Sequence, residues 1–271
     1  MPFGKITYHL KHSLLNLDLF GGQSDYRRFV ILGEARSGSN FLRGMLNSHP
    51  DMVTFGEIFR FYDNIGWEFP DFEKYRQTRR QISLMQRDPV KFLESKVFEK
   101  FPSAIDAVGF KMFYYHAQED SRKAIWNYLE ERKDIRIIHL KRKNSLRVLL
   151  SRKKAHMTNQ WTDVNGLHND VLSISLSREE CLEQFTWIRD MWRVYDHLFR
   201  EHPKMDLVYE DLTSNRDGKT QRVQEFLGVS KKSLLPDTYK QAQQPLSKAI
   251  SNYVQLKSQF KGTRWETFFE D

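Results

Sequence analysis

The chain has 271 residues, of which 39% are apolar and 14% aromatic, and its net charge at pH 7 is +8. This length and apolar content suffice for one large folded domain, and they exclude a chain that is disordered over most of its length. The surplus of Lys and Arg favours an anionic ligand such as a nucleotide or a sulfated sugar. No nucleic-acid-binding signature is present, so we do not expect nucleic acid as a partner.

The sequence indicates the cellular location only indirectly. No stretch approaches the roughly 20 apolar residues that a membrane-spanning helix needs, so no transmembrane segment is expected. Residues 1–20 lack the pattern of a signal peptide, and the single cysteine, Cys181, suits the reducing cytosol. We therefore expect a cytoplasmic protein, with a chain trimmed of a membrane anchor as the alternative. Cys181 itself is interpreted as a buried hydrophobic residue of a helix.

The predicted elements begin with a short apolar run, Phe29–Gly33, which is typical of a buried parallel strand. A loop at 34–39 and a helical pattern from Phe41 to Leu46 follow, and His49-Pro50 marks the end of that helix. Gly228 predicts the end of a later helix. Three more candidate strands alternate with helical patterns: Ala107–Tyr114, Ile135–Leu140 and Met205–Tyr209. This alternation predicts right-handed βαβ units and a parallel sheet flanked by helices.

Two long segments interrupt these units. The segments 61–101 and 156–175 exceed simple connections, and we interpret them as insertions around an acceptor site, the first mostly helical and the second irregular. Between them and the later strand, Ser177 with Glu180 forms a capping box, which predicts the start of a long helix. No linker-like stretch divides the chain, so residues 1–271 are predicted to form a single domain.

The segment from Gly33 to Asn40 links the first predicted strand to the first predicted helix. At such a junction the backbone N–H groups and the dipole of the helix favour an anion. The spacing of Gly33 and Gly38 resembles the phosphate-binding loop G-x-x-x-x-G-K-S/T, but Ser39 occupies the lysine position and Asn40 that of the magnesium ligand. The cation is instead Arg36, inside the loop. We therefore expect the loop to bind a phosphate-like group without a metal, and an ordinary βα turn is the alternative.

Several segments along the chain match the motifs of one family in that family's order. They are Arg36–Arg43, Leu46–Asp51, Phe55–Glu57, Ile138–Ser151, Tyr209–Leu212, Phe226–Gly228 and Phe260–Trp265. They resemble motifs of the sulfotransferases that use PAPS (3′-phosphoadenosine 5′-phosphosulfate). The third resembles the carboxylate-bearing motif of the bacterial carbohydrate and tyrosylprotein branches. The resemblance, which runs from about residue 29 to 268, implies a P-loop-NTPase-like three-layer α/β fold with a central parallel sheet flanked by helices. It also implies PAPS as the donor cosubstrate, and no metal.

The resemblance has departures. Ala35 stands where the family usually has proline, and Asn40 stands where it has a second threonine. The spacing from Arg142 to Ser151 is one residue longer than the common R-x7-S spacing. Lys143 is therefore an alternative to Arg142 as the residue that binds the 3′-phosphate.

The resemblance implies a role for each matching residue. The residues that would hold the 5′-phosphosulfate are Arg36, Ser37, Gly38, Ser39, Asn40 and Phe41. Arg36 would also stabilise negative charge on the leaving phosphate and so count as catalytic. Arg142 and Ser151 would hold the 3′-phosphate. Lys261 and Gly262 would close over the same phosphate.

Glu57 is the candidate general base, because the proton of the acceptor must be removed as its oxygen bonds to sulfur. Glu57 follows a short strand-like turn at Met52–Gly56, which can return it to the sulfuryl end of the loop. The alternative for Glu57 is a structural ion pair, and His49 and His116 are alternative bases. Lys111 would either reach the bridging oxygen of PAPS or pair with a carboxylate.

These inferences predict a sulfotransferase that moves a sulfuryl group from PAPS to an acceptor hydroxyl by in-line displacement, without a covalent enzyme intermediate. The glutamate motif favours a carbohydrate, glycolipid or peptide acceptor. Trp67, Phe69 and Trp161 are candidate surfaces for a sugar ring, with burial in the core as the alternative. A P-loop kinase and a non-catalytic binder of sulfated or phosphorylated ligands are the competing functions. A homo-oligomer is compatible with the sequence.

Overall fold

The fold was taken from a computed structural model, which describes residues 22–158, 173–237 and 244–270. Its strands are β1 (Gly22–Gln23), β2 (Arg27–Gly33), β3 (Met52–Thr54), β4 (Phe101–Pro102), β5 (Ala107–Phe113), β6 (Arg136–Lys141) and β7 (Lys204–Val208). Five of them form a sheet in the order β3-β5-β2-β6-β7, and each neighbouring pair is parallel. β1 and β4 pair antiparallel in a separate ribbon. The predicted parallel sheet is confirmed.

Helices connect these strands. They are α1 (Ser39–Asn47), α2 (Pro70–Arg76), α3 (Arg79–Arg87), α4 (Pro89–Phe92), α5 (Ala124–Glu131), α6 (Ser145–Thr158), α7 (Arg178–Leu198), α8 (Tyr209–Ser214), α9 (Arg216–Leu227), α10 (Leu246–Ala249) and α11 (Tyr253–Phe260). A π-helical turn spans Leu93–Val97, and a 3₁₀ turn spans Glu266–Phe269. None of the helices in the described ranges is long and apolar enough to cross a bilayer.

Two helix boundaries that were predicted from capping residues are confirmed. Ser177 caps α7: its hydroxyl accepts the backbone N–H of Glu180 at 3.1 Å, and the Glu180 side chain accepts the N–H of Ser177 at 3.0 Å. Gly228 ends α9 with a left-handed φ of 71°. The strand predicted to end at Tyr209 ends one residue earlier, because Tyr209 begins α8, whose first turn carries two acidic residues that suit a helix N-terminus.

The two predicted insertions are described to different extents. Helices α2, α3 and α4 and the π-helical turn all lie within 61–101, as the prediction of a mostly helical segment requires. The second insertion, 156–175, begins with the end of α6, and residues 159–172 lie outside the described residues.

β2 is buried on both faces, which explains its unbroken run of apolar residues. Val30 and Leu32 pack in one core cluster with residues of α5 and α7. Phe29 and Ile31 pack in a second cluster with residues of α1 and α9. The sheet therefore lies between two layers of helices, and the predicted three-layer α/β architecture is confirmed.

The order of the strands brings three connections together at one edge of the sheet. β5 and β6 flank β2 and run parallel to it, so the segments that follow all three strands emerge at the same edge. Gly33, the last residue of β2, packs closely on β6: a Cβ there would lie 2.8 Å from the carbonyl oxygen of Leu140. The loop after β2 is thus fixed between the chain segments that leave β5 and β6.

Candidate active site

The loop between β2 and α1 has a left-handed backbone at two positions. φ is 67° at Arg36 and 93° at Gly38. Such values are uncommon for a non-glycine residue and concentrate at functional sites. The Ser37 hydroxyl closes the turn by donating to the carbonyl oxygen of Glu34 at 2.7 Å. Among the described side chains none caps α1, and its first turn holds no acidic residue, so its first amides can bind an anion.

Gly38 is required by the aromatic ring beside it. A Cβ at Gly38 would lie 2.2 Å from Cδ2 of Tyr209. The guanidinium carbon of Arg142 lies 4.8 Å from the centroid of the same ring. Tyr209 therefore packs between the loop and Arg142, which gives the Tyr-Glu-Asp-Leu segment a structural function.

Two largely buried arginines lie next to each other at this loop. Nη1 of Arg142 donates to the carbonyl oxygen of Arg36 at 2.8 Å, and Nε of Arg36 donates to Oγ of Ser151 at 2.8 Å. Burial, and then the charge of Arg142, lowers the pKa of Arg36. Burial also lowers the pKa of Arg142. The structure thus brings Arg36, Arg142 and Ser151 together, and a bound anion would offset the cost of burying two neighbouring cations.

Lys143 faces a different direction. Its side chain is 65% exposed, and its Nζ lies 3.5 Å from a carboxylate oxygen of Asp211. The carboxylate of Glu210 holds the backbone here, accepting the N–H groups of Lys143 at 3.0 Å and Asn144 at 3.2 Å. Arg142, rather than Lys143, therefore lies beside the loop.

Glu57 lies among three nitrogen-bearing side chains. Its carboxylate is 3.4 Å from Nζ of Lys111 and 3.5 Å from Nε2 of His116. Nε of Arg60 lies 3.6 Å away. Burial alone would raise the pKa of Glu57, but the contact with His116 and the charges of Lys111 and Arg60 outweigh burial and lower the pKa to about 2. The carboxylate is therefore ionised at neutral pH.

The two histidines proposed as alternative bases lie in different places. Nδ1 of His116 accepts the backbone N–H of Phe113 at 3.1 Å, so a neutral ring carries its proton on Nε2, which faces Glu57. Burial lowers the pKa of His116, which favours that neutral form. His49 is outside this cluster, with its Nε2 2.7 Å from the carbonyl oxygen of Ser230.

Lys111 connects the carboxylates to the loop. It is fully buried on β5, and its Nζ donates a hydrogen bond to Oδ1 of Asn40, in the first turn of α1. The same nitrogen lies 2.9 Å from Oε2 of Glu68 and 3.4 Å from Oε1 of Glu57. The pairing of Lys111 with carboxylates is confirmed, and its contact with the bridging oxygen of PAPS stays a prediction.

Sequence reasoning missed two carboxylates of this region, Glu34 and Glu68. Glu34 is 2% exposed, and one of its oxygens accepts from Nε2 of Gln184 at 3.2 Å. Its other oxygen has no hydrogen-bond partner among the described residues. Burial, opposed in part by the Gln184 contact, raises the pKa of Glu34 to about 7. The only available signal for Glu34 was its place in the loop, and no motif pointed to Glu68.

The remaining predicted donor-binding residues make local contacts. The N–H of Lys261 donates to the carbonyl oxygen of Ser258 at 3.3 Å, and the N–H of Gly262 donates to the Glu266 carboxylate at 2.8 Å. Phe41 packs, partly buried, on the core cluster between the sheet and α9. The closing of Lys261 and Gly262 over the 3′-phosphate stays a prediction.

The aromatic residues proposed for a sugar ring belong to the core where the structure describes them. Trp67 is fully buried, and Phe69 packs against the same cluster. Trp161 lies outside the described residues. The interpretation of Trp67 as a core residue is therefore correct.

One group among the described residues has the spacing of metal ligands, His139 with Asp196 and Asp206. Lys141 Nζ lies 2.8 Å from Asp196 and 3.1 Å from Asp206, and Lys204 Nζ lies 2.6 Å from Asp196. These ammonium groups already neutralise the two carboxylates, so the group is an ion-pair network. Independence from metal stays a prediction.

The fold and the site together define an α/β protein with a loop suited to an anion at the carboxyl edge of its sheet and an ionised carboxylate beside it. Residues 28–233 match the model of the Sulfotransferase family, so the chain belongs to the sulfotransferase family. This membership confirms the resemblance described above.

Two curated proteins and one solved structure are similar to this chain over most of its length. Nodulation protein H of Rhizobium tropici is 27% identical over 247 residues, which covers 89% of this chain and 92% of that protein. Nodulation protein H of Rhizobium meliloti (strain 1021) is 24% identical over 249 residues, which covers 89% of this chain and 94% of that protein. Among solved structures, a sulfotransferase from Alicyclobacillus acidocaldarius is 16% identical with a TM-score of 0.47, and the match covers 89% of this chain and 94% of that one.

Proposed function

We propose that this protein transfers a sulfuryl group from PAPS to an acceptor hydroxyl of a carbohydrate, a glycolipid or a peptide. The observation that carries the proposal is the hydrogen bond from Lys111 to Asn40, since it joins the Glu57 carboxylate to the anion-binding loop. Membership of the sulfotransferase family supports sulfuryl transfer rather than phosphoryl transfer.

In the proposed donor complex the amides at the start of α1 and the Arg36 side chain hold the 5′-phosphosulfate. Arg142 and Ser151 hold the 3′-phosphate. The hydrogen bonds that link Arg36 to Arg142 and to Ser151 support this assignment, because they keep both binding groups at one end of the sheet. The exposure of Lys143 supports Arg142 as the phosphate ligand. A bound phosphate would accept charge-assisted hydrogen bonds from both guanidinium groups.

The proposed reaction is a single in-line displacement. The acceptor oxygen attacks sulfur, the new S–O bond forms as the bond to the bridging oxygen breaks, and that electron pair leaves on the 5′-phosphate of PAP (3′-phosphoadenosine 5′-phosphate). The acceptor proton passes to Glu57, whose ionised state supports this role. The hydroxyl becomes strongly acidic as its oxygen bonds to sulfur, so a carboxylate of low pKa is able to accept its proton. Arg36 and Lys111 would offset the negative charge on the leaving phosphate.

Exposed aromatic rings near Glu57 support an acceptor with an apolar face. Phe61 is 44% exposed, and the Arg60 guanidinium, which pairs with Glu57, lies 4.5 Å from its ring centroid. Tyr115 is 47% exposed, and its ring centroid lies 5.2 Å from that of His116. An acceptor that approaches Glu57 would meet these rings, and a sugar ring or an aromatic peptide side chain can stack on them.

The proposal is tested first by ligand binding. We expect PAP to raise the melting temperature without any added metal, since a ligand at about 100 times its Kd stabilises the folded state by about 2.7 kcal/mol. ATP with magnesium is the comparison. Stabilisation by ATP with magnesium, and none by PAP, would contradict the proposal and favour a kinase.

Turnover is tested with radiolabelled PAPS and a panel of oligosaccharides, glycolipids and tyrosine-containing peptides. We expect Glu57→Gln to bind PAP as the wild type does and to lose turnover by about 100-fold or more, because removal of a positioned base has at least that effect. PAP binding without turnover in the wild type as well as in Glu57→Gln would instead indicate a non-catalytic binder, and unchanged turnover in Glu57→Gln would exclude Glu57 as the base.

A further inference from the structure

The carboxylate of Glu68 lies at the reacting end of the site. Its Oε2 is 2.9 Å from Nζ of Lys111 and 3.3 Å from Nε of Arg43. Its Oε1 accepts the backbone N–H of Glu57 at 3.4 Å. Glu68 therefore contacts both the amine that reaches the loop and the backbone of the candidate base.

Several contacts fix Glu68 in a strained backbone conformation. Its φ is 48°, in the left-handed region that non-glycine residues rarely adopt. Its carbonyl oxygen accepts from Nη1 of Arg43 at 2.9 Å, and its side chain packs on Gly56, where a Cβ would lie 2.3 Å from the Glu68 carboxyl carbon. The N–H of Gly56 donates to the carbonyl oxygen of Trp67 at 2.8 Å. Strain of this kind persists where surrounding contacts determine a conformation, and it is concentrated at functional sites.

The distances divide the charge of Lys111 unequally between two carboxylates. Nζ lies 2.9 Å from Glu68 and 3.4 Å from Glu57. Because the attraction between charges falls with distance, Lys111 is attracted more strongly to Glu68 than to Glu57. Arg43 is a second cation that contacts Glu68. The negative charge of Glu68 thus offsets part of the Lys111 charge, which would otherwise lower the proton affinity of Glu57 further.

We propose that Glu68 is a positioning residue for sulfuryl transfer, which holds the Lys111 ammonium against the loop and orients Glu57 without touching the substrate itself. This inference rests on the function proposed above. A displacement of about 1 Å in a group that acts on the reacting atoms can cost roughly 100-fold in rate. Loss of the Glu68 charge should therefore affect the chemical step more than donor binding.

The first test compares Glu68→Gln and Glu68→Asp with Glu73→Gln, a control at an exposed glutamate of α2. PAP affinity is measured by calorimetry, and turnover is measured as radiolabelled PAPS consumed with the best acceptor of the panel, or with water. We expect all three variants to bind PAP within about twofold of the wild type. Glu68→Gln should lower kcat about 10- to 100-fold with little change in KM, and Glu68→Asp should recover part of that loss because it keeps the charge.

The second test is a double-mutant cycle with Glu57→Gln. If Glu68 acts through Glu57 and Lys111, Glu68→Gln will lower turnover far less in the Glu57→Gln background than in the wild type. If the effects of Glu57→Gln and Glu68→Gln on turnover multiply in the double variant, the inference is overturned. Equal turnover of Glu68→Gln and Glu73→Gln would also overturn it. Loss of PAP affinity in step with turnover would assign Glu68 to the stability of the fold and would also overturn it. Failure of the wild type to bind PAP would overturn the proposed function, whereas the other outcomes leave that function standing.

Discussion

The buried carboxyl group of Glu34 gives the folded protein a predictable dependence on pH. Burial raises the pKa of Glu34 from 4.5 to about 7, and its one described hydrogen-bond partner, Gln184, is neutral. The folded state therefore binds a proton more tightly than the unfolded state does. The stabilising contribution is complete below pH 4.5 and is lost as the pH rises through about 7. At about 1.4 kcal/mol per pH unit, the change over that window is about 3.5 kcal/mol.

Glu34→Gln isolates this contribution, because it keeps the shape of the side chain and removes the titration. We expect the free energy of unfolding of the variant, relative to the wild type, to increase by up to about 3 kcal/mol between pH 5 and pH 8. Urea unfolding followed by tryptophan fluorescence measures it at both pH values. Taking the difference cancels the contribution of Glu99, whose pKa burial also raises to about 7. A flat difference, like that expected for the exposed control Glu73→Gln, would show that Glu34 is ionised in the folded protein and refute the reasoning.

The same group should couple protonation to donor binding. Arg142 lies close enough to influence the pKa of Glu34, and so does Arg152, whose Nη2 donates to Oε1 of Gln184 at 2.6 Å. The other groups that face Glu34, the phenols of Tyr114 and Tyr115, have pKa values raised mainly by burial and are neutral near pH 7. A phosphate bound at Arg142 would add negative charge near Glu34 and favour its protonated form. PAP affinity should therefore fall as the pH rises through about 7, and less so in Glu34→Gln.

Two further predictions concern the loop. Arg142→Ala should weaken PAP binding about 10- to 100-fold in calorimetry, which is the contribution of a charge-assisted hydrogen bond. Lys143→Ala should change PAP binding by no more than about threefold. Equal losses would contradict the assignment of the 3′-phosphate to Arg142. Gly38→Ala should lower the melting temperature more than Gly228→Ala, because both positions have positive φ but only at Gly38 would the new Cβ overlap the Tyr209 ring. Similar losses in the two variants would show that the ring moves aside.

The junction of β2, the loop and α1 was predictable because each part depends on neighbouring residues. An apolar run closed by Gly33 indicates a buried strand, and Gly38 supplies the left-handed turn before the helix. The position of Arg142 followed from topology, since a residue that leaves the strand next to β2 must emerge near the loop. These inferences need only local periodicity and the rules of parallel sheets.

The contacts that connect distant segments were not predictable in the same way. Glu34 meets Gln184, 150 positions along the chain, through the packing of α7 on the sheet. Glu68 contacts Glu57 and Lys111 because its own backbone is left-handed. Glutamate rarely adopts that conformation, so its presence in the sequence did not predict it. Such contacts depend on how the helix layers pack on the sheet. No periodic pattern in a single sequence predicts that packing.

The position of Lys111 explains how the loop could bind the proposed donor without a lysine of its own. In the pairing of β2 with β5, Lys111 stands opposite Ile31, and both side chains lie on the face of the sheet that α1 covers. The amine therefore arrives at Asn40 from a neighbouring strand, with the carboxylates of Glu57 and Glu68 as its counterions. A lysine at the position of Ser39 would lie on the loop itself, whereas the amine on β5 lies between the loop and Glu57, the candidate base. In the proposed complex this amine would lie beside the bond that breaks. Negative charge develops there in the transition state, so the ammonium charge would stabilise the transition state more than it stabilises the bound donor.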